Sequence, residues 1–105
     1  MIKYKVLLDL DDTALIYSDT THEYVEHPKL LDMLTQFDVI LFSGRTDIQD
    51  FAIKWDVPFI SKDEDVNPTA DFLVDDSCER WIKYVKVKKG YESIDSFLSS
   101  VGSKY

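Results

Sequence analysis

The fold of this chain is decided by a stretch close to its start, Val6-Leu7-Leu8-Asp9-Leu10-Asp11-Asp12-Thr13. A short apolar run bounded by polar residues is typical of a buried parallel strand, which has no favourable place for carboxylates. Asp9 and Asp11 are therefore expected at or beyond the carboxyl end of this strand. Ligands of open α/β sheets bind in the crevice outside those strand ends. Alternate residues of an extended chain point the same way, so both carboxylates can face one site.

The closeness of these two carboxylates predicts a bound cation. Two carboxylates held near each other repel, and one of them takes up a proton unless a cation lies between them. Mg²⁺ is the natural partner, because proteins bind it through one or two carboxylates together with substrate phosphate oxygens. The alternative is an acidic turn that follows a core strand and binds nothing.

The composition describes one globular domain that spans residues 1–105. The chain is 45% hydrophobic and 13% aromatic, which separates it from disordered sequences. Its net charge of −8 disfavours non-specific binding to nucleic acid or anionic lipid. Part of that charge belongs to the predicted metal site, so a bound cation reduces the repulsion.

The chain also lacks the usual marks of export and of membrane insertion. It has no basic segment followed by an apolar one and no long apolar stretch. The single cysteine, Cys78, cannot form an internal disulfide, and we expect it to be a small buried side chain in a reducing compartment. We therefore expect a cytoplasmic protein with no membrane partner.

Strand-like and helix-like segments alternate along the chain. After the first strand, further strands are predicted over residues 37–42, 57–60, 70–74 and 84–87. Helices are predicted to begin near Pro28, at Ser43 or Thr46, at Ser77 and after Gly90. Residues 14–27 suggest a helical turn and a short hairpin. This alternation predicts an α/β layer fold with a mainly parallel five-stranded sheet.

Polar clusters follow three of the later predicted strands. Ser43-Gly44-Arg45 ends the second strand, and a hydroxyl, a glycine and a fixed cation there suggest an anion site. An acidic loop that carries Lys62 follows the third strand, and Asp75-Asp76 ends the fourth. Because the carboxyl ends of parallel strands meet at one edge of a sheet, these clusters indicate a single functional site.

These motifs resemble those of the haloacid dehalogenase-like (HAD) superfamily over essentially the whole chain. The matching residues are Asp9, Asp11 and Thr13 for its first motif, Ser43 for its second, and Asp75 with Asp76 for its fourth. The resemblance implies a three-layer Rossmann-like core with helices on both faces of the sheet. It also implies that residues 14–27 form the family's squiggle and flap, and that the chain has no cap domain.

The resemblance further implies a magnesium-dependent phosphomonoester hydrolase that acts through an aspartyl-phosphate intermediate. Asp9 would be the nucleophile, and Asp11 would be the general acid and then the base that activates water. The magnesium would be held by the Asp9 carboxylate, the Asp11 backbone carbonyl, and Asp75 or Asp76. The physical chemistry agrees, because a carboxylate attacks a phosphate dianion only if cations offset the repulsion.

The substrate's phosphate is expected to contact the Ser43-Gly44-Arg45 loop, with Thr13 supporting the site. By resemblance, Ser43 would hydrogen-bond a phosphoryl oxygen. The Ser-Gly-Arg run is also similar to the phosphatase part of polynucleotide kinase-phosphatases, in which the arginine helps to hold the substrate's phosphate. The alternative for Arg45 is a residue at the start of a helix that pairs with Asp47 or another surface carboxylate.

The third motif departs from the family pattern. Asn67 stands where the flanking residues suggest the motif lysine, and Lys62 is the nearest candidate to replace it. The alternative is a solvated loop lysine among the acidic residues 63–65. In that case Arg45 would supply the positive charge, or the protein would bind phosphate without turning it over well.

The lack of a cap leaves the predicted site open to several substrates. An open site favours a nucleic-acid end, a nucleotide or a phosphoprotein, or else a small phosphometabolite enclosed by a neighbouring subunit of an oligomer. A non-catalytic phosphate-binding or interaction protein is the main alternative, motivated by Asn67 and opposed by the intact Asp9 and Asp11. A dehalogenase is a weaker one, because those members generally lack the second aspartate of the first motif.

Overall fold

The computed structural model describes residues 3–64 and 67–101 and has an α/β architecture. Its strands are β1 (Lys5–Leu8), β2 (Leu15–Ser18), β3 (Glu23–Glu26), β4 (Asp38–Ser43), β5 (Phe59–Ser61), β6 (Phe72–Val74) and β7 (Lys89–Tyr91). Its helices are α1 (Leu30–Gln36), α2 (Ile48–Trp55), α3 (Cys78–Trp81) and α4 (Ile94–Ser100), and a 3₁₀ turn over Ile82–Tyr84 directly follows α3. No helix in these ranges has the length and apolar character needed to cross a membrane.

In the described ranges, five of the strands form one parallel sheet in the order β5-β4-β1-β6-β7. The chain therefore runs outward from β1 to one edge and then crosses back to build the other side. This is the strand order of doubly wound α/β sheets, so the predicted α/β class with a parallel five-stranded sheet is confirmed, and the fold is consistent with a Rossmann-like one. The crevice of such a sheet opens where the order reverses, at the carboxyl end of β1.

The central strand β1 is buried on both faces, which explains its continuous apolar run. Val6 and Leu8 face one apolar cluster, where α1, α2 and α4 contribute residues such as Met33, Ala52 and Phe97. Leu7 faces a second cluster on the opposite side, which contains Cys78 of α3. Helices therefore pack on both faces, and the prediction that Cys78 is a small buried side chain is confirmed.

Between β1 and α1 the chain forms the predicted turn and hairpin. The amide N–H groups of Thr13, Ala14 and Leu15 donate to carbonyls of Asp9 and Leu10, which turns the chain sharply away from the sheet. β2 and β3 then pair antiparallel in a separate two-stranded sheet. The interval from residue 14 to residue 27 contains these elements and no further domain.

The predicted strand over residues 84–87 is wrong. Lys86 forms only an isolated bridge with Thr69, and the edge strand is β7, which pairs with β6 through Gly90 opposite Leu73. Gly90 therefore lies inside a strand instead of breaking the chain before α4. A Cβ atom at this position would lie 2.1 Å from Sγ of Cys78, so glycine lets α3 pack closely against the edge strand.

One predicted helix start and one predicted helix cap also differ from the structure. α2 begins at Ile48 after Asp47 instead of at Ser43 or Thr46, because the intervening residues form the loop that leaves β4. Ser77 precedes α3, but its side chain makes no capping hydrogen bond. Its amide N–H instead donates to Oδ1 of Asp75 at 2.8 Å, which ties the start of α3 to the site.

Candidate active site

Four loops at the carboxyl edge of the sheet line a cleft of about 490 Å³. They follow β1, β4, β5 and β6, the strands whose ends were predicted to converge. The lining residues are Asp9, Asp11, Asp12, Ser43, Gly44, Arg45, Lys62, Asp63, Asp76, Arg80 and Trp81. The structure therefore brings together the predicted residues of all four loops, with Thr13 and Asp75 buried against the cleft.

Asp9 is held at the end of β1 with only 6% of its surface exposed. Its amide N–H donates to the carbonyl of Val74 at 3.0 Å, which continues the pairing of β1 with β6. Its Oδ1 accepts from Nζ of Lys62 at 3.2 Å, and its Oδ2 accepts from Oγ1 of Thr13 at 3.4 Å. Burial, together with the negative charge of Asp75, raises the pKa of Asp9 to about 7, although Lys62 offsets part of this effect.

Lys62 lies inside the cleft, so the alternative of a solvated loop lysine does not hold. Its side chain is 9% exposed, and its Nζ donates to Oδ2 of Asp75 at 2.7 Å as well as to Asp9. The same ammonium lies 4.6 Å from the ring centroid of Trp81, a cation–π distance. Asn67, which stands at the sequence position expected for lysine, is exposed.

Asp9, Asp75 and Asp76 form a compact carboxylate cluster. One oxygen from each lies within 4.8 Å of the others, a spacing at which a single metal ion can be shared. Thr13 fixes this cluster, because its hydroxyl donates to Asp9 and accepts from the amide N–H of Asp76 at 3.1 Å. Burial also raises the pKa of Asp76. Three carboxylates are hard oxygen donors of the kind that bind hard divalent cations.

Asp11 lies in the same cleft but points to a different partner from Asp9. Its Oδ1 accepts from the guanidinium of Arg45, and its side chain does not join the carboxylate cluster in the described ranges. Arg45 also holds Asp47 through two hydrogen bonds of 2.8 and 2.9 Å. The pairing of Arg45 with Asp47 was the alternative reading of this arginine, whereas its contact with Asp11 was not predicted. These bonds lower the pKa of Asp47 and raise that of Arg45.

The Ser43-Gly44-Arg45 loop reaches the cleft directly from β4. Ser43 is buried, and its Oγ accepts from the amide N–H of Arg45 at 3.1 Å. The amide N–H of Lys62 donates to the carbonyl of Ser43 at 3.0 Å, which links the loops after β4 and β5. A Cβ atom at Gly44 would lie 4.0 Å from Oδ1 of Asp63 and from Cβ of Lys62, which is ordinary van der Waals contact, so close packing does not require glycine there.

Sequence reasoning missed Arg80 and Trp81, both on α3. Trp81 contacts Lys62 and packs edge-on against Phe42, with ring centroids 5.9 Å apart. Arg80 lies beside the Trp81 ring at the rim of the cleft. No motif marks either residue, and only the path of α3 brings them to the site.

Comparisons of the chain with models of protein families, with curated proteins and with solved structures find no match. The functional conclusion therefore rests on the chemistry of the cleft.

Proposed function

We propose that the protein is a magnesium-dependent phosphomonoester hydrolase of the HAD superfamily that acts through an aspartyl-phosphate on Asp9. The observation that carries this proposal is the position of Lys62, whose ammonium lies between the carboxylates of Asp9 and Asp75. In the family pattern a lysine of the third motif supplies this positive charge, and Asn67 occupies its expected position here. We assign that role to Lys62. The short segment over residues 14–27, built as a turn and a hairpin, supports the capless type.

The arrangement of charge in the cleft suits attack on a phosphate group. A carboxylate nucleophile and a phosphate dianion repel each other, and preorganised cations offset that repulsion. Lys62 lies beside the nucleophile, and Arg45 stands on the neighbouring loop after β4 with its guanidinium anchored by Asp47. The hydroxyl of Ser43, oriented by the amide of Arg45, has its hydrogen available for a phosphoryl oxygen.

The residues that would hold magnesium are Asp9, Asp75 and Asp76. The family's use of the backbone carbonyl at Asp11 stays a prediction. A bound Mg²⁺ would neutralise negative charge on the phosphoryl oxygens and orient them toward Asp9.

The protein's own residues account for both halves of the reaction. A carboxylate oxygen of Asp9 bonds to phosphorus while the bond to the leaving oxygen breaks, and Asp11 gives that oxygen a proton. In the second half, Asp11 takes a proton from water as the water oxygen bonds to phosphorus. The bond from phosphorus to Asp9 then breaks and inorganic phosphate leaves. The ion pair with Arg45 involves Oδ1 of Asp11, so we assign these proton transfers to its Oδ2.

A terminal phosphate of a nucleic acid or nucleotide is one candidate substrate, suggested by the Ser43-Gly44-Arg45 loop. The net charge of −8 opposes a long polyanion and favours compact phosphomonoesters. A phosphate-binding protein without turnover stays the alternative, suggested by Asn67 at the expected lysine position, and the ammonium of Lys62 beside Asp9 counts against it.

The test is phosphate release from p-nitrophenyl phosphate and from an oligonucleotide with a terminal phosphate, in magnesium and in chelator. We expect release that requires magnesium and is abolished in Asp9→Asn. Asp12→Asn is the matched control, since it removes a carboxylate of the same cleft that has no assigned role. Phosphate binding without release from either substrate would favour the non-catalytic alternative.

A further inference from the structure

Arg80 is a cation of the cleft that the proposed chemistry does not use. The other cations that line the cleft, Arg45 and Lys62, are each paired with two carboxylates. Arg80 is exposed, and no carboxylate of residues 3–64 or 67–101 lies within ion-pair distance of its guanidinium. Its charge is therefore available to a ligand.

Trp81 fixes the position of Arg80 relative to the catalytic lysine. The Cζ atom of Arg80 lies 5.5 Å from the centroid of the Trp81 ring, and Nζ of Lys62 lies 4.6 Å from the same centroid. The two cationic groups are thus no more than roughly 10 Å apart, each within cation–π range of one indole. A single small molecule can reach both of them.

The free positive charge of Arg80 lies in strongly acidic surroundings. The cleft is otherwise lined by five carboxylates, and the chain as a whole carries a net charge of −8. A planar guanidinium at the cleft mouth can hold a carboxylate or a phosphate through two parallel hydrogen bonds. The overall negative field at the same time disfavours extended polyanions.

We propose that Arg80 forms a second anion subsite at the mouth of the cleft. The substrates it selects are compact phosphomonoesters that carry another phosphate or a carboxylate. This inference rests on the proposed function for its description of the reacting phosphate, but the subsite itself is a binding property. Lys62 and Arg45 serve the phosphate that reacts, and Arg80 serves the second group.

The subsite is tested by binding in the Asp9→Asn background, where turnover cannot obscure affinity. Three matched probes are titrated by calorimetry in magnesium: phenyl phosphate, 4-carboxyphenyl phosphate and 1,4-phenylene bisphosphate. We expect the probes with a second anion to bind about fivefold more tightly than phenyl phosphate, the worth of one ion pair at an exposed site. The carboxylate and the second phosphate are compared directly, so the preferred anion emerges from the same series.

The decisive variant is Arg80→Gln, which should remove most of this preference. Lys83→Gln is the matched control, because Lys83 is an equally exposed cation beside an aromatic ring but does not line the cleft. The preference should survive in the control and weaken at high salt. Equal binding of all three probes, or a preference that Arg80→Gln leaves intact, would overturn the subsite.

Failure of the subsite and failure of the proposed function give different results. Hydrolysis of phenyl phosphate by the unaltered protein, without any effect of Arg80 on probe preference, would overturn the subsite alone. A preference that depends on Arg80, in a protein that hydrolyses none of the three probes, would support the subsite and count against the hydrolase.

Discussion

The ammonium group of Lys62 lies 2.7 Å from Oδ2 of Asp75, a residue with no exposed surface. The same ammonium reaches Asp9 at 3.2 Å, so one cation joins the ends of β1 and β6. Breaking a buried ion pair on one side leaves a charge without compensation, which is costly. The lysine therefore supports both the electrostatics of the cleft and its stability.

Lys62→Ala should reduce phosphate release by about 100-fold or more, because it removes preorganised charge beside the nucleophile. It should also lower the melting temperature in chelator, since Asp9 and Asp75 lose their shared partner, and magnesium should restore part of that loss. Lys54→Ala is the control, because Lys54 pairs with Glu26 at an exposed position. A rate equal to that of the unaltered protein would contradict this role and would indicate that Arg45 supplies the catalytic positive charge.

Asp9→Asn should stabilise the protein in chelator while it abolishes turnover. Burial beside Asp75 raises the pKa of Asp9 to about 7, so the folded state keeps a proton that the unfolded chain has released. Stability from this group is therefore lost as the pH rises from about 4 to 7. The gain in stability of Asp9→Asn should be larger at pH 8 than at pH 5. In a domain of this size, about 1 kcal/mol of stability corresponds to roughly 4–8 °C in melting temperature.

Thermal unfolding in chelator at the two pH values measures this gain. Asp63→Asn removes an exposed carboxylate of the same cleft and should give no such change. A lower melting temperature for Asp9→Asn at pH 8 would show that the Lys62 contact outweighs the repulsion among the carboxylates.

Asp47→Asn should weaken catalysis through Arg45 without unfolding α2. Asp47 fixes the guanidinium with two hydrogen bonds, and its side chain makes no capping bond to the helix. We expect a loss of about tenfold in kcat/KM, typical of a misplaced charged contact. Asp50→Asn is the control, since Asp50 is an acidic residue in the first turn of the same helix. An equal loss in both variants would assign the effect to the helix.

Thr13→Val should destabilise the cluster and weaken magnesium binding. The change removes the hydroxyl that accepts from the partly buried amide of Asp76, and an unsatisfied donor costs about 1 kcal/mol there, the low end of the range for buried groups. Thr13→Ser keeps the hydroxyl and should stay close to the unaltered protein. Magnesium titration followed by melting temperature compares the two variants, and identical shifts would exclude a role for the hydroxyl.

The residues at the strand ends could be predicted because buried parallel strands tolerate no carboxylates. Asp9 and Asp75 had to lie at the carboxyl edge, and the parallel order then brought them together. The strand predicted over residues 84–87 failed because its alternating apolar and basic residues imitate an edge strand. Val85 instead packs into the cluster that contains Cys78.

The contacts between side chains on different loops could not be predicted from the pattern. Arg45 and Asp11 are 34 residues apart in the chain, and their pairing depends on how the loop leaves β4. Arg80 lines the cleft from α3, whose Cys78 packs closely against Gly90 of β7. Lys62 reaches Asp9 and Asp75 because β5 ends one residue earlier, at Ser61, and leads the chain into the cleft.

The most direct test of the central claim is to trap the phosphorylated enzyme. Asp11→Asn is mixed with p-nitrophenyl phosphate and magnesium, quenched in acid and mapped by mass spectrometry of its peptides. The proposed mechanism predicts one phosphoryl group on Asp9, accumulated because the variant lacks the base that activates water. A phosphoryl group on another residue, or steady turnover by the unaltered protein without any trapped species in the variant, would contradict it.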